Sequence, residues 1–195
     1  GYQVEVVPLT FADQGAVGYD TYMQTKGFLG GLFLGVSLND PWLSDFRTCK
    51  TPTVLYDNQI RTNPHVALLG VDNEEAMLRS VAHLKSLGHR RVGYLGGGLG
   101  SYINQVRHMA FFRALRKYEL PSSYHLSGHA LYINECIDRH LARLLRDGVT
   151  AIVCGNDLLA HSVLIHCLER GLRVPQDVSI VGFDDLPFCQ YTLPP

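Results

Sequence analysis

Short apolar runs alternate with helix-length stretches along this chain, and Gly or Pro stands between them. That alternation constrains the fold more than any other feature. A buried strand, a helix and a second buried strand make a βαβ unit, and repeated units make a parallel sheet covered by helices. Residues 3–9 (QVEVVPL), 31–36 (GLFLGV), 52–56 (PTVLY) and 67–71 (ALLGV) have the length and content of strands. Residues 14–27 read as a helix that stops at Gly27. Asn39-Asp40-Pro41 starts a short helix by a capping side chain followed by Pro.

The pattern then restarts. Residues 73–87 set Ala76, Met77, Val81, Leu84 and Leu87 at helical spacing, and Gly88 closes them. A strand at 92–95, a helix at 102–117, an irregular stretch at 120–132 and a helix at 134–146 follow. A strand at 149–154, a helix at 157–170 and a strand at 178–183 complete the run. The expected fold class is α/β, with two doubly wound parallel-sheet subdomains. Residues 1–70 form the first, incomplete at its N-terminal end, and residues 71–195 the second, incomplete at its C-terminal end. Ligands of such sheets bind at the C-terminal ends of the strands. Asp57-Asn58, Asp72-Asn73, the 97–101 loop, Asn156-Asp157 and Asp184-Asp185 occupy those places. Asn73 and Asn156 are also placed to cap helices.

Several chemistries drop out. Gly96-Gly97-Gly98-Leu99-Gly100-Ser101 has neither the spacing of a dinucleotide loop nor the Lys of a P-loop. The nine histidines hold no HExxH, and His161 and His166 point to different faces of a helix, so no metal site is expected. Asp184 and Asp185 point apart on an extended chain, and no nucleophile elbow is present, so no catalytic residue is assigned and no enzyme is expected. With 17 Lys and Arg against 18 Asp and Glu, the chain carries no basic footprint for DNA. No apolar run approaches the roughly 20 residues that span a bilayer, and no signal peptide opens the chain. Five cysteines without a CxxC pair fit reduced thiols in the cytoplasm. A start without Met and an end at Thr192-Leu193-Pro194-Pro195 suggest a fragment. What remains is a polar set suited to a neutral, hydroxyl-rich ligand. Arg107 offers forked donors, Asn156 a donor and an acceptor, and Asp184 two acceptors. No cofactor is expected.

Several segments together resemble one family. They are Val71-Asp72-Asn73-Glu74-Glu75-Ala76; Leu87-Gly88-His89-Arg90-Arg91-Val92; Ser101 with Arg107 and Phe111; and Asn156-Asp157 with Ala160. The most specific is Val174-Pro175-Gln176-Asp177-Val178-Ser179-Ile180-Val181-Gly182-Phe183-Asp184-Asp185. In this order and spacing they resemble the LacI/GalR family of bacterial transcriptional repressors; residues 1–70 fit more loosely. The resemblance implies a cytoplasmic regulator with a type I periplasmic-binding-protein-like core. A small effector, a sugar by the polar set above, would sit between the two subdomains and control operator DNA binding by a helix-turn-helix headpiece that this chain lacks. It places the effector contacts at Asp72, Ser101, Ile103, Arg107, Asn156 and Asp184. The family's aromatic stacking platform falls near Ala130, where this chain has no aromatic; Tyr132 or Tyr102 could substitute. A homodimer is implied, using residues 158–170 and 186–191. Leu159, Val163 and Cys167 lie at helical spacing there and fit either that interface or plain core. The alternative function is a periplasmic-type sugar-binding protein of a transporter.

Overall fold

The computed structural model describes residues 1–60 and 62–194; Pro195, the last residue of the second expected subdomain, lies outside them. The chain forms two compact units, Gly1–Val71 with Gly100–Tyr102, and Asp72–Leu99 with Ile103–Pro195.

The first unit carries α1 (Phe11–Ala16), α2 (Tyr19–Lys26), β1 (Gly31–Phe33), β2 (Thr53–Tyr56) and β3 (Val66–Leu69), with 3-10 turns at Pro41–Leu43 and Asp45–Arg47. The strands pair in parallel in the order β1-β2-β3. Tyr19, Met23, Trp42, Phe46, Leu55 and Ile60 form its core. Two expectations fail here. The helix read over 14–27 is two helices. Gly18 is extended, and Asp45 Oδ2 accepts from Tyr19 N at 2.9 Å, so a carboxylate 26 residues away caps α2. The α2 stop at Gly27 holds, with φ 71°. Residues 3–9 are not a strand: Tyr2, Val4 and Val6 are exposed, and no described strand pairs with them. An apolar alternating run has no stable extended form until a neighbour takes its backbone hydrogen bonds.

The second unit runs α3 (Asn73–Ser86), β4 (Val92–Gly97), α4 (Tyr102–Lys117), β5 (Ser127–Ala130), α5 (Ile133–Arg146), β6 (Ala151–Cys154), α6 (Asp157–Glu169) and β7 (Ser179–Val181). All four strands are parallel, in the order β5-β4-β6-β7. Strand alternation sends side chains to both faces. Val92, Tyr94, Ala151 and Val153 pack with Met77, Phe111 and Leu115 under α3 and α4. Leu95, Ile152 and Cys154 pack with Ile137, Leu141 and Val163 under α5 and α6. Each such side chain is stabilised by about 1.5–3 kcal/mol when buried. Leu159, Val163 and Cys167 all belong to that second layer, so core is what they are.

Strand β5 falls where an irregular stretch was expected. Its sequence, Ser-Gly-His-Ala, has no β-branched residue, and strand character comes from parallel pairing with β4 (Tyr94↔Ser127 to Gly97↔Ala130). The caps also differ in part. Asn156 caps α6, its Oδ1 accepting from Leu159 N at 2.8 Å. The cap of α3 is Asp72, not Asn73: its Oδ1 accepts from Glu75 N at 3.0 Å. Among the described residues no helix is long and apolar enough to cross a membrane.

Candidate functional site

The chain leaves β4 for β5 on one side and returns to β6 on the other. The β4–β6 boundary is therefore the topological switch point, where two loops diverge and leave a crevice. Gly96 and Gly97 end β4 there, and Gly155 follows β6.

Arg107, on α4, is buried beside this crevice and three of its donors are engaged. Nε donates to Asn73 Oδ1 at 2.8 Å, Nη1 to the Gly155 carbonyl at 2.6 Å, and Nη2 to Asp184 Oδ1 at 3.2 Å. The guanidinium stacks on the Phe183 ring, 3.7 Å from its centroid. One side chain thus ties together α3, the end of β6 and the turn after β7. A guanidinium has five N–H groups, and three of them are engaged here.

Asp184 owes its direction to the backbone. It and Asp185 have φ of 103° and 54°, a left-handed pair that is costly outside glycine. The turn aims one carboxylate at Arg107 and brings Leu186 N to Asp157 Oδ2 at 2.7 Å. Gly182 is needed beside it, because a Cβ there would collide with Asp157 Oδ1. The Asp184 side chain keeps 37% of its surface exposed, so its carboxylate can still accept from a ligand. A cavity of about 520 Å³ is lined by Phe183, Asp184 and Asp185 of this turn with Ala160, Leu164 and Phe188, without Arg107 or Asn156 in its wall.

The six expected contact residues are distributed unevenly. Arg107 and Asp184 meet directly. Asn156 adjoins the carbonyl that Arg107 holds, with its oxygen engaged as the α6 cap and its amide N–H groups left to donate. Asp72 is exposed and uses its carboxylate to cap α3. Ser101 precedes α4 and Ile103 lies in its first turn, both half-buried. Ala130 ends β5 with no ring, while Tyr132 is exposed at the start of α5.

Three site residues were not anticipated in these roles. Asn73, expected at a strand end or as a cap, orients Arg107; Phe183 is its stacking partner. The third is Tyr94 on β4. Its hydroxyl is buried without a hydrogen-bond partner, and a Cβ at Gly155 would come within 2.9 Å of it. Burial pushes the phenol far above its ordinary range. No local sequence signal marks it, because its isolation depends on glycines from two strands. Tyr94→Phe is expected to stabilise the ligand-free chain by about 1 kcal/mol, since an unpaired buried hydroxyl costs more than a ring edge. A lowered melting temperature in that variant would show that the hydroxyl is paired.

Donors from Arg107 and acceptors on Asp184 converge without a nucleophile and base in contact, and among the described residues no metal-binding cluster forms.

The chain is similar to known proteins in sequence and in fold. A family model described as a periplasmic binding protein-like domain matches residues 81–195. The transcriptional regulator MalR of Streptomyces coelicolor is 31% identical over 173 residues, 86% of this chain and 50% of its own length. The regulator reg1 of Streptomyces lividans is 34% identical over 74% of this chain and 43% of its own. A LacI-family regulatory protein from Chloroflexus aggregans superposes with a TM-score of 0.78 at 25% identity, over 90% of this chain and 63% of that one. The chain belongs to the LacI family.

It matches the periplasmic-binding-protein-like portion of LacI-family regulators, and it spans about half the length of the curated relatives it matches. Those relatives are transcriptional regulators, not enzymes. The lac repressor shares the fold, with a TM-score of 0.76 at 20% identity over 96% of this chain and 56% of its own.

Proposed function

We propose that this chain is the effector-sensing core of a cytoplasmic transcriptional regulator, and that its effector is a neutral sugar. The observation that carries this is the Arg107–Asp184 pair with its Asn73 and Phe183 supports. The pair is charge-balanced, so it suits a ligand without net charge. Its remaining N–H groups and the exposed carboxylate present a donor and an acceptor side by side, which is what a ring of hydroxyls requires. One solved relative of the fold is a CelR–cellobiose complex, with a TM-score of 0.77. On this proposal Asp72, Ser101, Ile103 and Asn156 frame the same ligand, and operator DNA is bound by a helix-turn-helix outside this chain. The effector changes operator affinity only to the extent that it binds one conformation of the core better than another. The protein works as a homodimer, in which Leu158, Ile165 and Leu168 on the exposed side of α6 supply apolar contact.

A thermal-shift panel of pentoses, hexoses, disaccharides, sugar phosphates and purines tests the effector class. A ligand at about 100 times its Kd adds about 2.7 kcal/mol, a shift of several degrees for a domain of this size. One neutral sugar is expected to raise the midpoint, and Asp184→Asn to abolish that rise. A response confined to sugar phosphates or purines would overturn the neutral-sugar assignment and leave the family unaffected.

A further inference from the structure

Strand β5 is an edge strand with weak strand propensity, and a histidine presses on each of its faces. Ser127 and His129 point to the α4 side, where His108 is buried. The Ser127 hydroxyl donates to the Tyr124 carbonyl at 3.0 Å, so it accepts from His108 Nε2–H at 3.1 Å. The His108 and His129 rings meet edge-on with centroids 5.1 Å apart, and His129 Nδ1 is buried without a partner. On the other face Gly128 lies against His140 of α5, so close that a Cβ would collide with the ring. Arg143, one turn further along α5, donates to the carbonyls of His125 and Ser127 and stands 3.5 Å from His140 Nδ1.

That arrangement favours neutral rings at His108 and His140. His140 Nδ1 faces a guanidinium donor, so a proton there would set N–H against N–H and cation against cation. His108 is boxed by Tyr94 of β4, Phe112 of its own helix, Tyr124, and His129 of β5. The remaining charges near His140 are Arg143, which is paired with Asp147, and Arg139, which is paired with Glu135. Among the described residues no carboxylate forms an ion pair with any of the three imidazoles.

We infer that His108 and His140 form an acid-sensitive latch on β5: neutral, they hold the strand against β4, α4 and α5; protonated, they release it. Burial lowers the affinity of both rings for protons, with His129 adding to the effect at His108; at His140, Arg143 adds to it and outweighs the opposing hydrogen bond to the His129 backbone. The sign follows. The released strand exposes histidines of ordinary pKa, about 6.5, while the latched rings titrate lower. The latch is at full strength above that pH and weakens as pH falls through it, until the latched rings also bind protons. The consequence reaches the candidate site, because a Cβ at Gly98, in the loop after β4, would lie 3.3 Å from Leu131 Cα at the end of β5. Acidification therefore loosens one wall of the crevice, whatever ligand it takes.

Hydrogen exchange read by mass spectrometry on this chain at pH 7.5, 6.5 and 5.5, corrected for intrinsic exchange, tests the latch. Protection of the peptide containing residues 127–130 is expected to fall by up to about tenfold per histidine between the extremes. The β6 peptide, residues 151–154, serves as the internal reference and should fall less. His108→Gln with His140→Gln should flatten the extra slope. An equal slope in β5 and β6, or an unchanged slope in the double variant, would overturn the proposal. If that variant does not fold, the imidazole C–H signals of the wild-type chain decide. Both rings titrating at or above the ordinary histidine value while β5 stays protected would reject the latch.

Discussion

Arg107→Met is expected to destabilise the second unit by about 3–5 kcal/mol, the range for breaking a buried charged network by removing one partner. The residue is 6% exposed, and its loss removes the donor to Asn73 Oδ1, the Gly155 carbonyl and Asp184 together. Asp184 keeps 37% of its side chain exposed and can turn to water. Urea unfolding reads the loss directly. Arg107→Lys separates geometry from charge. An ammonium carries the charge but lacks the fork that reaches three acceptors in three directions, so most of the loss is expected to remain. A Lys variant as stable as the wild type would mean that charge alone holds the junction. In either variant the sugar-induced thermal shift is expected to vanish.

Val163→Glu has a comparably large expected effect. Val163 is fully buried between α6 and the sheet. An unpaired carboxylate there costs more than about 4–5 kcal/mol, enough to unfold a typical domain. Far-UV circular dichroism should show loss of structure at 25 °C. Leu168→Glu, on the exposed side of the same helix, should leave the spectrum intact and change only the sedimentation coefficient if that side joins two copies. A folded Val163→Glu chain would return this residue to the surface.

The contrast between these two positions shows what could be read in advance. Leu159, Val163 and Cys167 recur at helical spacing, which identifies an apolar face but not what covers it. The burial of that face under Ile152 and Cys154 is a property of the sheet. Arg107 and Asp184 were singled out together by their side-chain chemistry and by the resemblance, and the structure brings them into contact. Their direct contact was not legible, because it depends on two consecutive left-handed residues in the turn after β7. Asn73 looked like a helix cap from its position; the structure gives the cap to Asp72 and the amide to Arg107.

By itself, the sequence determined the element types of most of the chain, the α/β class and the family. Those follow from short-range causes: side-chain periodicity, capping chemistry, glycine stops and a motif with fixed spacing. Tertiary structure decided the rest. It made Ser-Gly-His-Ala a strand by giving it β4 to pair with, left residues 3–9 without strand structure by giving them no partner, and cut one expected helix in two with a carboxylate 26 residues distant. Each outcome depends on a hydrogen-bond partner supplied from elsewhere in the chain, and a backbone group takes whichever partner the fold brings to it.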